Sequence, residues 1–364
     1  MEMTRSGTGF VGRNLATYLI KNDLVSKICL ADKVPPEMAW LNDIHKAAIS
    51  DERVKFKSVN LLNEASLEKV FTCEEGEFEF IINCAATTRY GQDNSVYEEG
   101  IYRLSLLAAK EVAKHNHHLF IELSTAQVYS SDKKRSNEES KLNPWTGIAK
   151  YKLKAEKGLE SISGLNYAIL RPAIIYGLGD RQSLTPRLII GAVYKELDEK
   201  MKLLWGRDLR LNTVHVHDVC RAIWHVCIHG KKGEVYNLAD KGDTTQGFIS
   251  QCISEIFGIK HDYFNTVMSN LASLGISTIS EESNEKHMEP WSKACKRDNI
   301  TNTPLSPYLD QELLYNKHLY VDGSKIEKSG FTYEYPNLTT ESLRMILQDY
   351  VRQGLFPKSL SNGN

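Results

Sequence analysis

The stretch Ser6-Gly-Thr-Gly-Phe-Val-Gly-Arg-Asn-Leu-Ala-Thr-Tyr-Leu-Ile20 decides the fold of this 364-residue chain. A glycine-rich turn leads into apolar residues that are spaced for one face of a helix. Gly7, Gly9 and Gly12 match the pattern G-x-G-x-x-G, whose glycines allow a tight turn and the close approach of a pyrophosphate. A second register takes Ser6 with Gly9 and Gly12, and a plain strand-to-helix turn would also fit the glycines taken alone.

An aspartate downstream narrows these alternatives. The run from Lys27 to Asp32 is short and apolar, and it ends in a carboxylate about 20 residues beyond the last glycine, the interval expected in a βαβ unit. A carboxylate in that place accepts hydrogen bonds from ribose hydroxyls and repels a 2′-phosphate, so Asp32 favours NAD over NADP. The adjacent Lys33 weakens that preference without reversing it, and Asp32 would also suit a simple turn.

Strands and helices then alternate along the chain. Strands predicted at 54–60, 78–86, 118–124 and 167–172 are separated by helices predicted at 65–71, 104–114 and 145–162. This alternation predicts an α/β fold with a doubly wound parallel sheet. We expect a Rossmann-type domain over 1–175, joined by a later strand and helix near 234–257, and a smaller C-terminal substrate lobe over 176–364. Within that lobe the polar, proline-containing stretch 261–319 is expected to be an irregular insertion.

Few residues are available to form the strand that should precede the glycine turn. In a doubly wound sheet that strand is central, with parallel neighbours on both sides, so it should be almost wholly apolar. Only residues 1–5 are available, and they include Glu2, Thr4 and Arg5. We expect either a short, poor strand or a chain whose start lacks about one strand.

Composition excludes several classes of partner. The 45 basic and 46 acidic residues give a net charge of −1, and basic residues are not interleaved with aromatic ones, so nucleic acid is not an expected partner. No apolar run approaches the roughly 20 residues of a membrane span. The seven cysteines are odd in number and never spaced C-x-x-C, and the first residues lack the apolar core of a signal peptide, which predicts a cytoplasmic protein. His215 and His217 have no partner at ligand spacing, so no metal is predicted, and Asp218 is expected to cap the following helix.

Five further motifs carry a family resemblance. They are Asn83-Cys-Ala-Ala86, Ser124-Thr-Ala-Gln-Val-Tyr129, Arg171-Pro-Ala-Ile-Ile-Tyr-Gly-Leu-Gly-Asp180, Val214-His-Val-His-Asp218 and Asp322-Gly-Ser-Lys325. With the glycine turn, their order and spacing resemble the extended short-chain dehydrogenase/reductases of the NAD-dependent epimerase/dehydratase superfamily. Val-His-Val-x-Asp looks closest to the 3β-hydroxysteroid dehydrogenase-like branch, although nucleotide-sugar epimerases and dehydratases share most of the motifs.

The resemblance implies NAD(H) on the Rossmann domain, a small-molecule substrate under the C-terminal lobe, and the homodimer that many family members form. The positions that correspond to the family's cofactor contacts are Gly7, Gly9, Phe10, Val11, Gly12, Asp32, Asn60, Leu61, Ala85, Ala86, Lys152 and Pro172. Asn60-Leu61 stands where the family usually has Asp-Leu or Asp-Val beside the adenine.

The resemblance also implies a catalytic set. In this family a tyrosine, made acidic by a nearby lysine, takes the proton from a substrate hydroxyl while a serine or threonine holds the same oxygen. By resemblance the threonine is Thr125, and the lysine, which also binds ribose, is Lys152. The tyrosine belongs one helical turn before the lysine, where this chain has Ile148, which has no proton to move. Tyr151 is the candidate substitute, although it lies about 100° round the helix from Lys152.

Different classes of function follow from this pattern. The first is an NAD(P)-dependent oxidoreductase acting on a secondary alcohol or ketone, with a 3β-hydroxysteroid-like substrate as one option. The alternatives are a nucleotide-sugar epimerase or dehydratase, and a catalytically degenerate protein that binds NAD for regulation. Loss of a general acid/base costs about 10² to 10⁴ in rate, so cofactor binding can outlast catalysis.

Overall fold

The computed structural model describes residues 2–5, 7–71, 78–115 and 119–361. Met1, Ser6 and His118, which take part in the predicted elements, lie outside the described residues. The strands are β1 (Glu2–Arg5), β2 (Ile28–Asp32), β3 (Val54–Ser58), β4 (Phe80–Asn83), β5 (Leu119–Leu123), β6 (Tyr167–Pro172), β7 (Ile174–Tyr176), β8 (Met201–Leu203), β9 (Thr213–His215), β10 (Glu234–Leu238) and β11 (His261–Tyr263). The helices are α1 (Phe10–Lys21), α2 (Asp43–Ile49), α3 (Glu64–Phe71), α4 (Asn94–Tyr97), α5 (Leu104–Ala113), α6 (Gly147–Glu160), α7 (Thr185–Glu196), α8 (Val216–His229), α9 (Gln246–Phe257), α10 (Thr266–Ser273), α11 (Ile276–Arg297), α12 (Thr340–Arg352) and α13 (Lys358–Ser361).

Seven of the described strands form one parallel sheet in the order β10-β6-β5-β4-β1-β2-β3. The short strand β1 fills the central place, with Thr4 paired in register with Leu30 on one side and Ile82 on the other. The strand order reverses between β1 and β4, which is the switch point of a doubly wound sheet. The predicted α/β fold with a parallel sheet is confirmed.

The sheet is covered by helices. Strands β2, β4, β5 and β6 are buried along their whole lengths, which is why their sequences read as continuous apolar runs without alternation. A core cluster joins the sheet to α3, α5 and α6 through Leu67, Phe71, Val112 and Leu159. Helix α1 packs against α2 and α8. The glycine turn therefore starts from a strand with a parallel neighbour on each side and leads into a helix that packs on two others.

The chain divides into two compact units. The first comprises Met1–Ala173, Val216–Ala239 and Val321–Tyr335, and the second comprises Ile174–His215, Asp240–Tyr320 and Pro336–Asn364. The seven-stranded sheet lies in the first unit, where β10 joins it beside β6. The helix that was expected to return with this strand, α9, lies in the second unit. The chain leaves the sheet directly after β10, because Asp240 N–H donates to Thr213 O (2.8 Å) in the second unit.

The second unit is built from helices and two short parallel strand pairs. Strand β7 pairs with β9 and β8 with β11, while α7 packs against α9 and α11. The prediction of an irregular insertion over 261–319 is wrong, because this stretch contains the 22-residue helix α11. In its first half the buried face of α11 carries Ser280, Asn284 and His287, so the apolar period that marks most helices is confined to its last turns. Pro290 lies inside the helix, and because proline usually ends or kinks a helix, its presence argued against a helical prediction.

Candidate cofactor and catalytic site

The glycine turn joins the central strand β1 to α1. Gly7 is buried against β2, and a Cβ built on it would lie 2.6 Å from Leu30 Cβ, so only glycine fits there. Gly9 precedes α1 in extended backbone (φ −67°, ψ 174°) and offers no side-chain cap. The N–H groups and the positive end of the α1 dipole can therefore face an anion. The remaining predicted residues of the turn are the first three of α1, Phe10, Val11 and Gly12.

Arg13 braces this turn. Its side chain is almost fully buried, and its guanidinium donates to Thr8 O (Nη2, 2.6 Å) and Gly9 O (Nε, 3.2 Å). It also donates to Ala39 O (Nη2, 2.8 Å) and Trp40 O (Nη1, 3.0 Å) in the loop after β2. Carbonyl oxygens of the turn are thereby occupied, and a fixed positive charge lies next to it. Sequence analysis missed Arg13, whose only signal is its place directly after the third glycine.

Asp32 ends β2 with its carboxylate fixed by the same turn. Thr8 donates to Asp32 Oδ2 from its hydroxyl (2.9 Å) and from its N–H (3.3 Å), and Val34 N–H donates to Oδ1 (3.1 Å). The carboxylate is buried and held in one orientation at the end of the second strand. A dinucleotide's ribose hydroxyls bond at this place in sheets of this topology. The glycine turn, Arg13 and Asp32 together fit NAD in their chemistry.

The other predicted cofactor residues differ in how far their side chains reach the surface. Asn60 is exposed just beyond β3, where its Oδ1 accepts the N–H two residues later (3.1 Å) and so shapes a turn. Leu61 and Ala85 are buried in the hydrophobic core of the sheet. Ala86 is half-buried after β4, and Pro172 is buried at the end of β6. Leu61 and Ala85 thus contribute packing beneath the edge of the sheet.

The position of the missing tyrosine lies in an apolar and aromatic cluster. Ile148, in the first turn of α6, packs with Tyr97 and Ile101 and is buried. Gly147 permits this close approach, since a Cβ there would lie 2.5 Å from Tyr97 Cε2. Side chains fill the space around Ile148. Of the three buried members of the cluster, two are isoleucines and the third, Tyr97, carries a titratable group.

Lys152 is the cation of a buried ion pair and is not an exposed ribose ligand in this structure. Its Nζ donates to Glu122 Oε1 (2.9 Å) and to Leu123 O (2.6 Å), with 5% of the lysine side chain and none of the glutamate exposed. Asn83 Nδ2 (2.6 Å) and Ser105 Oγ (3.0 Å) donate to the same carboxylate. Glu122 lies on β5, thirty residues before the lysine, so no local pattern reveals this partner.

A second buried network joins β6, α6 and β10. Arg171 Nη2 pairs with Glu156 Oε2 (2.5 Å), and Arg171 Nη1 donates to the Tyr129 hydroxyl (2.8 Å). Tyr129 donates to Asn237 Oδ1 (2.7 Å), and Ser124 donates to Glu156. Burial raises the pKa of Tyr129 to about 12, so this phenol stays protonated and holds strands together.

A chain of hydrogen bonds links the start of α6 to a tyrosine that sequence analysis passed over. Thr146 accepts Ala149 N–H (3.1 Å) as the cap of α6, and its hydroxyl donates to Gln127 Oε1 (2.9 Å). Gln127 Nε2 donates to the phenol oxygen of Tyr90 (3.1 Å), and Gln127 N–H donates to the Thr125 hydroxyl (3.2 Å). Tyr90 and Thr125 are both partly exposed. Two hydroxyl groups thus share one bonding partner beyond the ends of β4 and β5.

Asp218 does not cap the helix that follows it, as expected from sequence, because it lies inside α8 and is fully buried. Its carboxylate accepts the N–H groups of Glu334 (2.9 Å) and Tyr335 (2.8 Å) and pairs with Arg221 (2.9 Å). Buried backbone donors need such partners, so Asp218 ties α8 to the last segment of the first unit.

Among the described residues, no three His, Cys, Asp or Glu side chains converge as they would around a metal ion. Within the same part of the chain, each helix is too short or too polar to cross a membrane.

Comparison with known proteins identifies the family. A model of the NAD-dependent epimerase/dehydratase family matches residues 7–239. The chain is 26% identical over 261 residues to a dTDP-D-glucose 4,6-dehydratase from Dictyostelium discoideum, covering 64% of this chain and only 56% of that protein's length. It is 25% identical over 272 residues to a dTDP-glucose 4,6-dehydratase from an Actinoplanes species, covering 70% of this chain and 81% of that protein.

Solved structures share the fold. The dTDP-glucose 4,6-dehydratase from Streptomyces venezuelae, solved with NAD bound, gives a TM-score of 0.69 at 18% identity over 99% of both chains. The UDP-glucuronic acid 4-epimerase from Bacillus cereus, solved with UDP-glucuronic acid and NAD, gives 0.69 at 16% identity over 97% of this chain and 99% of that one. These relatives are nucleotide-sugar enzymes and do not single out the hydroxysteroid branch. Because the family model matches well over half of the sequence, the chain belongs to the NAD-dependent epimerase/dehydratase family.

Proposed function

We propose that this protein binds NAD(H) at the carboxyl edge of the first unit's sheet and acts on the sugar of a nucleotide sugar. The observation that carries the proposal is the joint fixing of the glycine turn and Asp32 by Thr8 and Arg13. The pyrophosphate and the adenosine ribose of a dinucleotide find fixed partners of opposite polarity there. The carboxylate of Asp32 supports NAD over NADP.

The chain's own residues would divide the work as follows. When bound, NAD supplies the acceptor for a hydrogen and its electron pair removed from a sugar carbon. The N–H groups at the start of α1 would hold the pyrophosphate, and Asp32 would accept the ribose hydroxyls. Thr125 would hold the substrate oxygen, since its hydroxyl is partly exposed and fixed by Gln127 N–H. Lys152 would keep the end of β5 rigid through Glu122.

A cavity of about 130 Å³ in the second unit supports the choice of a nucleotide sugar. Its lining is mostly apolar and includes the ring of Trp205 and the guanidinium of Arg187. Among the described residues, no acceptor bonds the Arg187 side chain, and burial lowers its pKa. An unpaired cation in an apolar cavity is stabilised by an anionic ligand, and a diphosphate is such a ligand. The cavity accommodates one part of a nucleotide sugar.

Binding and product analysis test the proposal. Calorimetry with NAD, then with dTDP-glucose or UDP-glucuronic acid added to the NAD-loaded protein, should show both ligands binding. Product analysis by NMR should show epimerisation or dehydration of the added nucleotide sugar. Arg187→Gln should weaken nucleotide-sugar binding, whereas Arg352→Gln at the exposed end of α12 should not. NAD binding without nucleotide-sugar binding would exclude this substrate class, and net NADH formation with a 3β-hydroxysteroid would support the oxidoreductase alternative.

A second candidate, a regulatory protein that binds NAD without turnover, is supported by one observation. Ile148 occupies the tyrosine position, and the ammonium of Lys152 is engaged by Glu122 and Leu123 O. This candidate predicts that NAD and a nucleotide sugar bind while the sugar is recovered unchanged after prolonged incubation.

A further inference from the structure

We propose that Tyr90 is the catalytic acid/base of this protein and replaces the helix tyrosine that the chain lacks. Tyr90 lies in the loop between β4 and α4, where the family resemblance assigns no such role. This inference rests on the proposed function, because it assumes hydrogen transfer between NAD and a substrate hydroxyl carbon. Three phenols are near the position of Ile148, those of Tyr90, Tyr97 and Tyr151, and their contacts separate them.

Tyr97 is a structural brace. Its hydroxyl donates to Arg89 O (3.0 Å) and accepts Gln92 N–H (3.2 Å), and its side chain is buried. Gln92 Nε2 also donates to the backbone carbonyl of Tyr90 (3.1 Å). Tyr97 therefore holds the loop that carries Tyr90, and its own proton is committed to that loop.

Tyr151 lacks the environment that an acid/base phenol needs. Its ring packs on Tyr97, with ring centroids 5.9 Å apart, and Lys154 Nζ lies 5.7 Å from its centroid. Among the described residues, nothing bonds its hydroxyl, so no donor is fixed on the oxygen. The adjacent Lys152 bonds Glu122 instead.

Tyr90 has a donor fixed on its phenol oxygen. Thr146 accepts the N–H of Ala149 and donates its hydroxyl proton to Gln127 Oε1, the oxygen end of the carboxamide. The opposite end of the carboxamide, Nε2, then donates to Tyr90 (3.1 Å). Hydrogen bonds to the charged form of a group favour that form, so this bond favours the Tyr90 phenolate. The chain of hydrogen bonds that fixes this donor ends at Thr146, the N-cap of the 14-residue helix α6.

The same glutamine places Tyr90 next to the predicted substrate-holding group. Gln127 N–H donates to Thr125 Oγ1 (3.2 Å) while its side chain donates to Tyr90. In the family the acid/base phenol and the threonine hydroxyl act on one substrate oxygen. Tyr90 and Thr125 are the pair of partly exposed hydroxyl groups that share a partner here.

The step is a reversible oxidation of a secondary alcohol. The substrate O–H bond would break and its proton would pass to the Tyr90 phenolate oxygen. NAD⁺, when bound, would supply the two-electron acceptor for the hydrogen and electron pair that leave the carbon, so that a C=O bond would form as NAD⁺ became NADH. In the reverse direction the Tyr90 phenol returns the proton to the carbonyl oxygen, so Tyr90 becomes a phenolate again and the substrate a neutral alcohol.

Phenol titration tests Tyr90 without any substrate. Protein labelled with ¹³C at the tyrosine ζ carbon is titrated by NMR with and without NAD⁺, in wild type, Tyr90→Phe, Tyr151→Phe and the exposed control Tyr308→Phe. We expect one phenol of the NAD⁺ complex to ionise at lower pH than the others, and its signal to be missing only from Tyr90→Phe. Gln127→Met should move that ionisation to higher pH. The proposal is overturned if no phenol ionises early, or if the early signal disappears in Tyr151→Phe instead.

Turnover is the second readout. With nucleotide sugars, Tyr90→Phe should lower the rate about 10² to 10⁴-fold while NAD binding stays the same. An unchanged rate in Tyr90→Phe would overturn the assignment of Tyr90 alone. Absence of turnover in the wild type would instead contradict the proposed function, and the phenol titration would still decide whether Tyr90 is the acidic group. Circular dichroism of Tyr90→Phe, which loses one oxygen atom, confirms that the variant is folded.

Discussion

The two ends of the sheet's carboxyl edge differ in what their charged groups do. At β1 and β2, Asp32 is held by Thr8 while Arg13 bonds the backbone carbonyls of the glycine turn. At β5 and α6, the charged groups of Lys152 and Glu122 bond each other in the core, and Ile148 fills the tyrosine position. The first end holds a buried carboxylate and a braced backbone turn, which the proposed function assigns to a dinucleotide. The second end holds a buried ion pair.

Under the proposed function, cofactor binding and proton transfer depend on separate sets of residues in one sheet. At the second end, the carboxylate of Glu122 stabilises the buried ammonium of Lys152. A buried ion pair is costly to break from one side only. Variants at each end therefore probe different properties.

The largest effect is expected from breaking the buried pair from one side. Glu122→Gln leaves the Lys152 ammonium buried without a counter-charge, which should lower the free energy of unfolding by about 3 to 5 kcal/mol. The double variant Glu122→Gln with Lys152→Met should recover most of this loss. Lys154→Met removes the exposed pair with Glu98 and should cost only about 0 to 1 kcal/mol. Urea unfolding followed by circular dichroism measures all three, and equal costs for the buried and exposed pairs would contradict the structure.

A smaller effect is expected at the cofactor end. Asp32→Asn removes the charge that would accept the ribose hydroxyls, and hydrogen bonds to charged groups contribute about 1.5 to 3 kcal/mol. NAD binding should weaken about 10 to 100-fold, with NADP binding little changed. Calorimetric titration of both cofactors measures this, and Asp43→Asn on the exposed surface of α2 is the matched control. Equal weakening of NAD and NADP would remove Asp32 from the ribose site.

His45, which is buried near Arg13, should make the free energy of unfolding depend on pH. His45 bonds Asn14 Oδ1 of α1 (3.3 Å), and burial, with Arg13 nearby, lowers its pKa to about 3. The unfolded histidine binds a proton below its ordinary pKa of about 6.5, whereas the folded one stays neutral. The contribution of neutral His45 to the free energy of unfolding is therefore fully present well above pH 6.5. It falls as the pH drops towards 3, and the loss at pH 5 is about 2 kcal/mol. Urea unfolding at pH 7 and 5 should show a smaller loss in His45→Gln than in wild type, and identical losses would contradict the buried neutral state.

The smallest change is expected from restoring the family tyrosine. Ile148→Tyr supplies a phenol, but the Lys152 ammonium that would acidify it stays bound to Glu122 and Leu123 O. Turnover of a nucleotide sugar should rise less than about tenfold, equivalent to less than about 1.4 kcal/mol in the barrier. Product analysis of Ile148→Tyr beside wild type measures the change. A rise of a hundredfold would show that the site is intact apart from the tyrosine and would argue against Tyr90.

The sequence predicted the sheet well and the site in part. Buried parallel strands carry continuous apolar runs, so the sheet could be predicted from the sequence. The glycine turn and Asp32 could also be predicted, because each is a local pattern. Lys152 was predicted by resemblance to bind the ribose. Its ion pair with Glu122 was not predicted, because that carboxylate lies on another strand within an apolar run. Tyr90 was overlooked because its role depends on Gln127, which the fold brings to it from a different loop.

The second unit was harder to predict for a different physical reason. Helix α11 buries Ser280 and Asn284, whose side chains bond the backbone of Leu309. A helix that packs through hydrogen bonds carries no hydrophobic period, so residues 261–319 read as irregular. The strand and the helix near 234–257 were both predicted to join the Rossmann-type domain. The strand lies in the first unit, whereas the helix lies in the second.

The division of the first unit among three stretches of chain has a consequence for synthesis. Its last stretch, Val321–Tyr335, includes Lys325, which bonds Glu234 and the carbonyl of Val235 (2.8 Å) on β10. Strand β10 is the strand that pairs with β6, and at about 5 to 20 residues per second the roughly 66 residues from the end of β6 to the end of β10 take about 3 to 13 s to make. During this time β6 is an open sheet edge, and open edges pair with other chains. A nascent chain thus exposes β6 to chaperones, or to aggregation, long after its glycine turn has left the ribosome.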